Sequence, residues 1–94
     1  MVVGICQIDM EITNGSSLKS KRRVLKSIKD RIRSEFNISI AEIGDYDLWK
    51  RAKIGMACVG NEEGYVNGVL SQAVELISSN GNVIVLDYEI SVIK

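Results

Sequence analysis

Apolar residues recur along this chain at two spacings, and each spacing predicts a different element. Every second side chain from Val2 to Ile12 lies on one apolar face, as expected of a strand whose other face meets water. From Leu18 to Phe36 the apolar residues instead recur every three or four positions and fall within an arc of roughly 120°. This second spacing predicts a helix with one face in the core.

Two strands are predicted next. Residues 38–43 form a short strand whose apolar pattern slips register between Ile40 and Ile43, which indicates a bulge. A polar link leads to residues 52–59, where apolar and small side chains alternate again.

The last third of the chain predicts a helix and a strand. The helix lies between turn-forming residues at 61–63 and 80–82. Its core stripe is Val66, Val69, Leu70, Ala73, Val74 and Ile77. The strand covers residues 83–93, and Asp87 and Glu89 are predicted on its open face. Its predicted core face is Ile84, Leu86, Tyr88, Ile90 and Val92.

The predicted order is therefore βαββαβ. This order most economically forms a single ferredoxin-like α+β domain over residues 1–94, with a four-stranded antiparallel sheet and two helices on one face. An apolar content of 46% supports an ordinary core for such a domain.

Charge is distributed very unevenly along the chain. Residues 19–33 hold eight of the twelve Lys and Arg residues and one acid, Asp30, so this segment carries +7. The rest of the chain has four cations against eleven acids and carries −7. The formal net charge of zero therefore hides a strongly polarised molecule.

Most of these cations fall on the helix face opposite the apolar stripe. The candidate nucleic-acid-binding residues are Lys19, Arg22, Arg23, Lys26, Lys29 and Arg33, called the basic stripe below. Cations in the first turns of a helix oppose its dipole, and such departures from local rules concentrate at functional sites. The alternative without a binding function is a solvated face, or one neutralised by acids from elsewhere in the fold.

The turn before this helix suggests a second candidate site. Asn14, Gly15, Ser16 and Ser17 precede a helix N-terminus flanked by cations, which is a plausible anion or phosphate site. Ser17 is also a suitable helix N-cap.

Lys21 stands apart because the helical wheel places it inside the apolar arc. A buried, unpaired ammonium is very costly, so its amine must reach water or a carboxylate. The candidate partners are Glu42, Asp45 and Asp47, and a structural ion pair is the preferred interpretation.

Three segments carry a family resemblance: SLKSKR at 17–22, FNISIAE at 36–42 and DLWKRA at 47–52. Together they resemble the YlxP-like family of small bacterial proteins, domain-of-unknown-function family 503. The matching positions are Leu18, Lys19, Lys21, Arg22, Phe36, Asn37, Glu42, Asp47, Trp49 and Arg51.

The resemblance implies a ferredoxin-like fold. It also implies association with RNA or the ribosome, because genes of this family neighbour those of initiation factor two and ribosome-binding factor A. Within the matching segments, Lys21, Glu42, Asp47, Trp49 and Arg51 are expected to serve structure or partner binding. For Trp49, the only tryptophan, two roles stay open: stacking on a base, or capping the core with its N–H bonded to a carbonyl.

Several functional classes have no support in the sequence. The chain has no histidine, no Ser-His pair and no convincing carboxylate dyad, so we expect no enzymatic activity. Cys6 and Cys58 are far apart and read as reduced core thiols, so no metal site and no cofactor are expected. No apolar run approaches the ~18 residues of a membrane span and no signal peptide is evident, which predicts a cytoplasmic protein without a membrane partner.

The sequence thus favours a non-enzymatic binding module that contacts RNA or the ribosome through its basic first helix. The alternative is a self-associating structural or regulatory module, a homo-oligomer in which the basic helix of one subunit docks on an acidic sheet face of another. That face would carry Asp9, Glu11, Asp87 and Glu89. A third possibility, a small-molecule sensor, has no sequence feature marking its pocket.

Overall fold

Six elements follow one another in the predicted order. A computed structural model, which describes residues 1–94, gives their bounds. They are β1 Val2–Ile12, α1 Leu18–Glu35, β2 Ser39–Gly44, β3 Arg51–Gly60, α2 Glu63–Ser78 and β4 Val83–Ile93. The strands form one antiparallel sheet in the order β2-β3-β1-β4. The predicted α+β ferredoxin-like fold is confirmed.

The core lies between one face of this sheet and the two helices. Alternate residues of β1 from Gly4 to Ile12 are buried, and so are alternate residues of β3 from Ala52 to Cys58. Their burial on one side only shows that both helices cover the same face. Nineteen buried apolar residues form a single cluster there, and the opposite face of the sheet is open.

The predicted bulge in β2 is confirmed. The register between β2 and β3 shifts between Glu42 and Gly44. The shift leaves Ile43 without a partner on β3; this side chain lies on the open face, where it packs beside Gly55, and it is exposed. Glu42 keeps the orientation of Ile40, which is buried under α1. Ordinary alternation from Ile40 therefore places this carboxylate on the helix side of the sheet, just before the bulge.

The predicted facing of β4 was wrong over its first half. Ile84 and Leu86 were expected in the core, but both are exposed, while Val83 is buried and Val85 is partly buried against the core. The cause is a register shift opposite Asp9 and Met10, which leaves Leu86 without a partner on β1. An extra residue in one strand inverts the facing of everything on one side of it.

Beyond the shift the predicted facing of β4 holds. Tyr88, Ile90 and Val92 lie opposite Ile8, Cys6 and Gly4 of β1, and Ile90 packs against the core. Tyr88 is still exposed, because β4 is an edge strand.

The two helices start differently. Ser17 caps α1, since its side chain accepts a hydrogen bond from the backbone N–H of Ser20. The N-cap of α2 is Glu62, which makes no side-chain capping bond. Neither helix combines the length and the apolar character needed to cross a membrane.

Close contact between α2 and the sheet depends on a glycine. A Cβ atom built on Gly4 of β1 would lie 2.7 Å from Leu70 Cδ1 and would also overlap Val66. Both side chains are fully buried. The missing side chain at position 4 therefore lets α2 pack directly on β1.

Candidate functional site

Lys21 is buried on the inner face of α1, with 2% of its surface exposed. Its Nζ atom lies 3.0 Å from Glu42 Oε2, so the predicted carboxylate partner is confirmed. The ammonium also donates to two backbone carbonyls, that of Asp45 at 2.7 Å and that of Leu48 at 2.9 Å. The ammonium thus has two backbone hydrogen bonds and one carboxylate beside it.

The contact between Lys21 and Glu42 is electrostatic. The directed hydrogen bonds of the ammonium go to the two carbonyls, whereas the buried Oε2 atom of Glu42 accepts no hydrogen bond. The Glu42 side chain is 22% exposed, so water reaches its remaining surface. Without Lys21, a buried carboxylate oxygen would have no positive charge beside it.

The same lysine fixes the segment between β2 and β3, residues 45–50, called the β2–β3 loop below. Asp45 begins this loop with a φ of 58°, in the left-handed region that non-glycine residues seldom adopt. The Leu48 N–H donates to the carbonyl of Asp45, and the Ile12 N–H donates to that of Lys50. The loop is therefore held by hydrogen bonds at its start, middle and end.

The basic stripe is exposed except for Lys29, which is partly buried, and its members are not equivalent. Lys26 pairs with Asp30 at 2.7 Å, and this hydrogen bond holds the pKa of the Asp30 carboxyl below its usual value. Arg33 donates to the backbone carbonyl of Ile40 at 3.0 Å. The other four cations lie within 4.0 Å of no carboxylate. These four are called the free cations below: Lys19, Arg22, Arg23 and Lys29.

Part of the stripe borders a shallow polar groove between α1 and β2. Four of its cations line this groove together with two acids. The lining side chains are Arg22, Lys26, Lys29, Arg33, Asp30 and Glu42, together with Leu25. The groove thus brings Glu42, the partner of Lys21, to the edge of the basic surface.

Residues of the turn before α1 contact other residues of this chain. Ser16 and Ser17 each contact the hydroxyl of Ser20, and Ser17 caps the helix. Gly15 is buried, and a Cβ built on it would lie 2.6 Å from the backbone oxygen of Trp49. Asn14 is exposed. These contacts give Gly15 and Ser17 structural roles, and the anion site at this turn stays a prediction.

Trp49 does not cap the core, so that interpretation was wrong. It is 53% exposed and belongs neither to the core cluster nor to the residues packed against it. Two neighbours that sequence reasoning did not single out, Tyr46 and Leu48, are 59% and 49% exposed. Asp47 and Arg51 are also exposed, and neither forms an ion pair. The available signal was two aromatic residues within four positions of a polar link.

The open face of the sheet carries the predicted acids. Asp9 and Asp87 are directly opposite each other on neighbouring strands, and Glu89 lies opposite Gln7 on the same face. Lys53 approaches Asp9 at 3.6 Å and offsets part of this charge. The acidic face and the basic stripe are therefore on opposite sides of the molecule.

Both cysteines are free and buried, on the core face of β1 and β3. Burial raises the pKa of the Cys6 thiol to about 11 and also raises the pKa of Cys58. Both therefore stay protonated at neutral pH, as expected of packed core thiols.

The geometry defines a small ferredoxin-like domain with one basic helix anchored to a loop by a buried lysine. A family model described as "Protein of unknown function (DUF503)" matches residues 3–90, and this chain belongs to that family. It is 36% identical over 78 residues to "Uncharacterized protein YlxP" of Bacillus subtilis (strain 168), covering 83% of this chain and 85% of the relative.

A designed protein of known structure is similar in fold alone. The de novo designed protein Foldit4 superposes with a TM-score of 0.56 over 98% of this chain and 97% of its own, at 10% sequence identity. The likeness is to the arrangement of elements and carries no functional information.

Proposed function

We propose that this protein is a non-enzymatic, cytoplasmic RNA-binding module that contacts RNA phosphates through α1, either on free RNA or on the ribosome. The observation that supports the proposal is that the free cations have no carboxylate partner. Four exposed or partly exposed positive side chains on one helix have no carboxylate within 4.0 Å, although the chain has twelve acids. The first turn of α1 contains no acid either. An anionic partner would balance this charge.

The dimensions of the stripe suit a nucleic-acid strand. Lys29 is ten positions after Lys19, which is about 15 Å along a helix axis. Successive phosphates on one strand of a DNA duplex are about 3.4 Å apart along its axis, and on that scale this length spans several phosphates. The family resemblance and its translation-gene neighbourhood favour RNA as the polyanion.

Salt dependence tests the proposal. Four phosphate contacts give a slope of about −2.8 to −3.6 in log K against log salt concentration, because each contact releases condensed counterions. Binding should therefore weaken roughly 50- to 150-fold between about 50 and 200 mM salt. Fluorescence anisotropy of labelled RNA measures this slope.

Two single reversals on α1 provide a matched comparison. Arg22→Glu and Arg31→Glu change the net charge equally, but Arg22 is a free cation in the stripe whereas Arg31 lies outside it and pairs with Glu35 at 3.3 Å. We expect Arg22→Glu to lower affinity and reduce the slope by about one, and Arg31→Glu to change little. Equal losses would show that net charge, not the stripe, drives binding.

A triple reversal tests the stripe as a unit. Lys19→Glu, Arg22→Glu and Arg23→Glu should abolish salt-dependent binding without loss of stability, because acids suit the N-terminal turns of a helix. Thermal unfolding followed by circular dichroism is the control. RNA binding that is absent from the unmodified protein at about 50 mM salt would contradict the proposal.

A second candidate function, self-association, is favoured by the acidic open face. Asp9 and Asp87 oppose each other across neighbouring strands, and like charges in that position repel. A cationic helix from another subunit would relieve this repulsion. Since stripe and acidic face lie on opposite sides, such contacts would be heterologous and would build rings or open chains of subunits rather than a two-fold dimer.

Sedimentation measurements distinguish this second candidate from the first. If subunits associate through these faces, the triple reversal should yield monomers, and Asp9→Lys, Asp87→Lys and Glu89→Lys should restore the assembly in its presence. A protein that sediments as a monomer at all concentrations would exclude it.

A further inference from the structure

The β2–β3 loop exposes a cluster of large apolar side chains. Three of its six residues are large and about half exposed, namely Tyr46, Leu48 and Trp49. Single exposed apolar residues are ordinary, but a cluster on one loop is a common mark of a binding surface.

The loop is also held more firmly than an ordinary connection. The ammonium of Lys21 donates to the carbonyls on either side of Tyr46 and Asp47, and the carbonyl of Trp49 packs on Gly15. Burying a lysine and placing Asp45 in the left-handed region both cost free energy. The aromatic residues thus project from a backbone whose conformation is already fixed, which lowers the entropy that binding would lose.

The loop is next to the free cations. Lys21 belongs to the same two turns of α1 as Lys19 and Arg22, and its side chain joins those turns to the loop. Lys50 of the loop packs beside Gly15, in the turn that leads into α1. Aromatic rings and the free cations in the first turns of α1, Lys19, Arg22 and Arg23, therefore lie at one end of the molecule.

We propose that this end binds single-stranded RNA, with unpaired bases stacked on Trp49 and Tyr46 while the free cations contact the backbone. The inference rests on the proposed function and specifies its substrate class. Aromatic stacking combined with a positively charged surface is how proteins hold single strands, because every base has a π face. The bases of a continuous duplex are stacked on each other and offer no such face.

Two probes test the choice of strand. One is a labelled 12-nucleotide RNA without self-complementarity, and the other is the same RNA annealed to its complement, both at about 50 mM salt. We expect the single strand to bind more tightly, and Trp49→Ala to weaken its binding roughly 5- to 150-fold, as removal of one stacking ring does. Binding of the duplex should change less than twofold.

Three further variants identify the kind of contact. Trp49→Phe should retain most of the affinity, because it keeps an aromatic face, whereas Trp49→Leu should lose it. Tyr65→Ala removes an equally exposed ring from α2, away from the loop, and should have no effect. Trp49 lies outside the core, so all these variants should fold, and circular dichroism checks this.

The outcomes separate this inference from the proposed function. Salt-dependent RNA binding that Trp49→Ala leaves unchanged would overturn the stacking inference and leave the function standing. Full affinity in Trp49→Leu would likewise overturn it, and would indicate an apolar contact of the kind a protein partner makes. Absence of all RNA binding at low salt would overturn both.

Discussion

The two helices pack on the same face of the sheet but are attached to it differently. α2 buries five apolar side chains and no charge, and it lies directly on Gly4 of β1. α1 is two residues longer, yet it buries three apolar side chains and the ammonium of Lys21. Packing holds α2, whereas a polar anchor supplies part of the attachment of α1. The comparison suggests that α2 is mainly structural and that α1 positions a loop and presents charge.

The largest expected effect comes from removing the polar anchor. Lys21→Ala should lower the free energy of unfolding by about 3 to 5 kcal/mol, because it leaves Glu42 uncompensated and frees the carbonyls of Asp45 and Leu48. The partial exposure of Glu42 places the expected value toward the lower end. Chemical denaturation monitored by circular dichroism measures it.

The matched control neutralises both partners. Lys21→Met combined with Glu42→Gln removes the pair without stranding a charge, so it should cost less than half as much as Lys21→Ala. If the single variant lost under about 1 kcal/mol, α1 would not depend on its anchor and the contrast between the helices would disappear.

The next effect concerns the attachment of α2. Gly4→Ala places a Cβ atom 2.7 Å from Leu70 Cδ1 and against Val66, so it should cost roughly 2 to 3 kcal/mol through overpacking. Gly64→Ala is the control, because a Cβ at that position in α2 meets nothing within 4 Å. It should stabilise by about 0.5 to 1 kcal/mol through helix propensity. Equal effects of the two variants would contradict close packing at Gly4.

A third effect tests the sheet that both helices share. The pKa of Cys6 rises from 9.0 to about 11 in the folded chain, so the unfolded chain loses this proton first as pH increases. The stability that Cys6 contributes is complete below pH 9 and is lost as pH rises toward 11, a decrease of about 2 kcal/mol.

Other groups titrate in the same pH range, so the effect of Cys6 is measured as the difference between two proteins. Unfolding free energies of the unmodified protein and of Cys6→Ala should be compared at pH 8 and pH 11. The cavity in Cys6→Ala lowers stability at both values, but the unmodified protein should show the larger decrease with pH. Parallel pH profiles would show that the thiol is not protected by burial.

Predictions from the sequence were correct where the spacing of apolar residues matches the positions that are buried. The inner position of Lys21 followed from the helical wheel alone, and the cost of an unpaired ammonium then required a partner, which Glu42 supplies. The bulge in β2 was visible because it interrupts an alternation between apolar and polar residues. In both cases a polar residue stands out against an apolar pattern.

The predictions failed where the sequence pattern does not distinguish one face of an element from the other. Residues 83–86 of β4 are all apolar, so either set of alternate positions fits the core, and the register shift that decides between them depends on pairing with β1. The carbonyl partners of Lys21 were also missed, because every residue has a carbonyl and only the folded loop brings those of Asp45 and Leu48 together. The exposure of Trp49 depends on the path of the same loop.

Arg33 differs from the rest of the stripe because it bonds to the backbone of a strand at the edge of the sheet. β2 is an edge strand, and such strands offer backbone acceptors to the strands of other chains. The guanidinium of Arg33 occupies the Ile40 carbonyl of this edge and places a charge beside it. Cross-β pairing through β2 would first have to displace that side chain. A positive residue at position 33 therefore covers the edge of the sheet even when the protein has bound no partner.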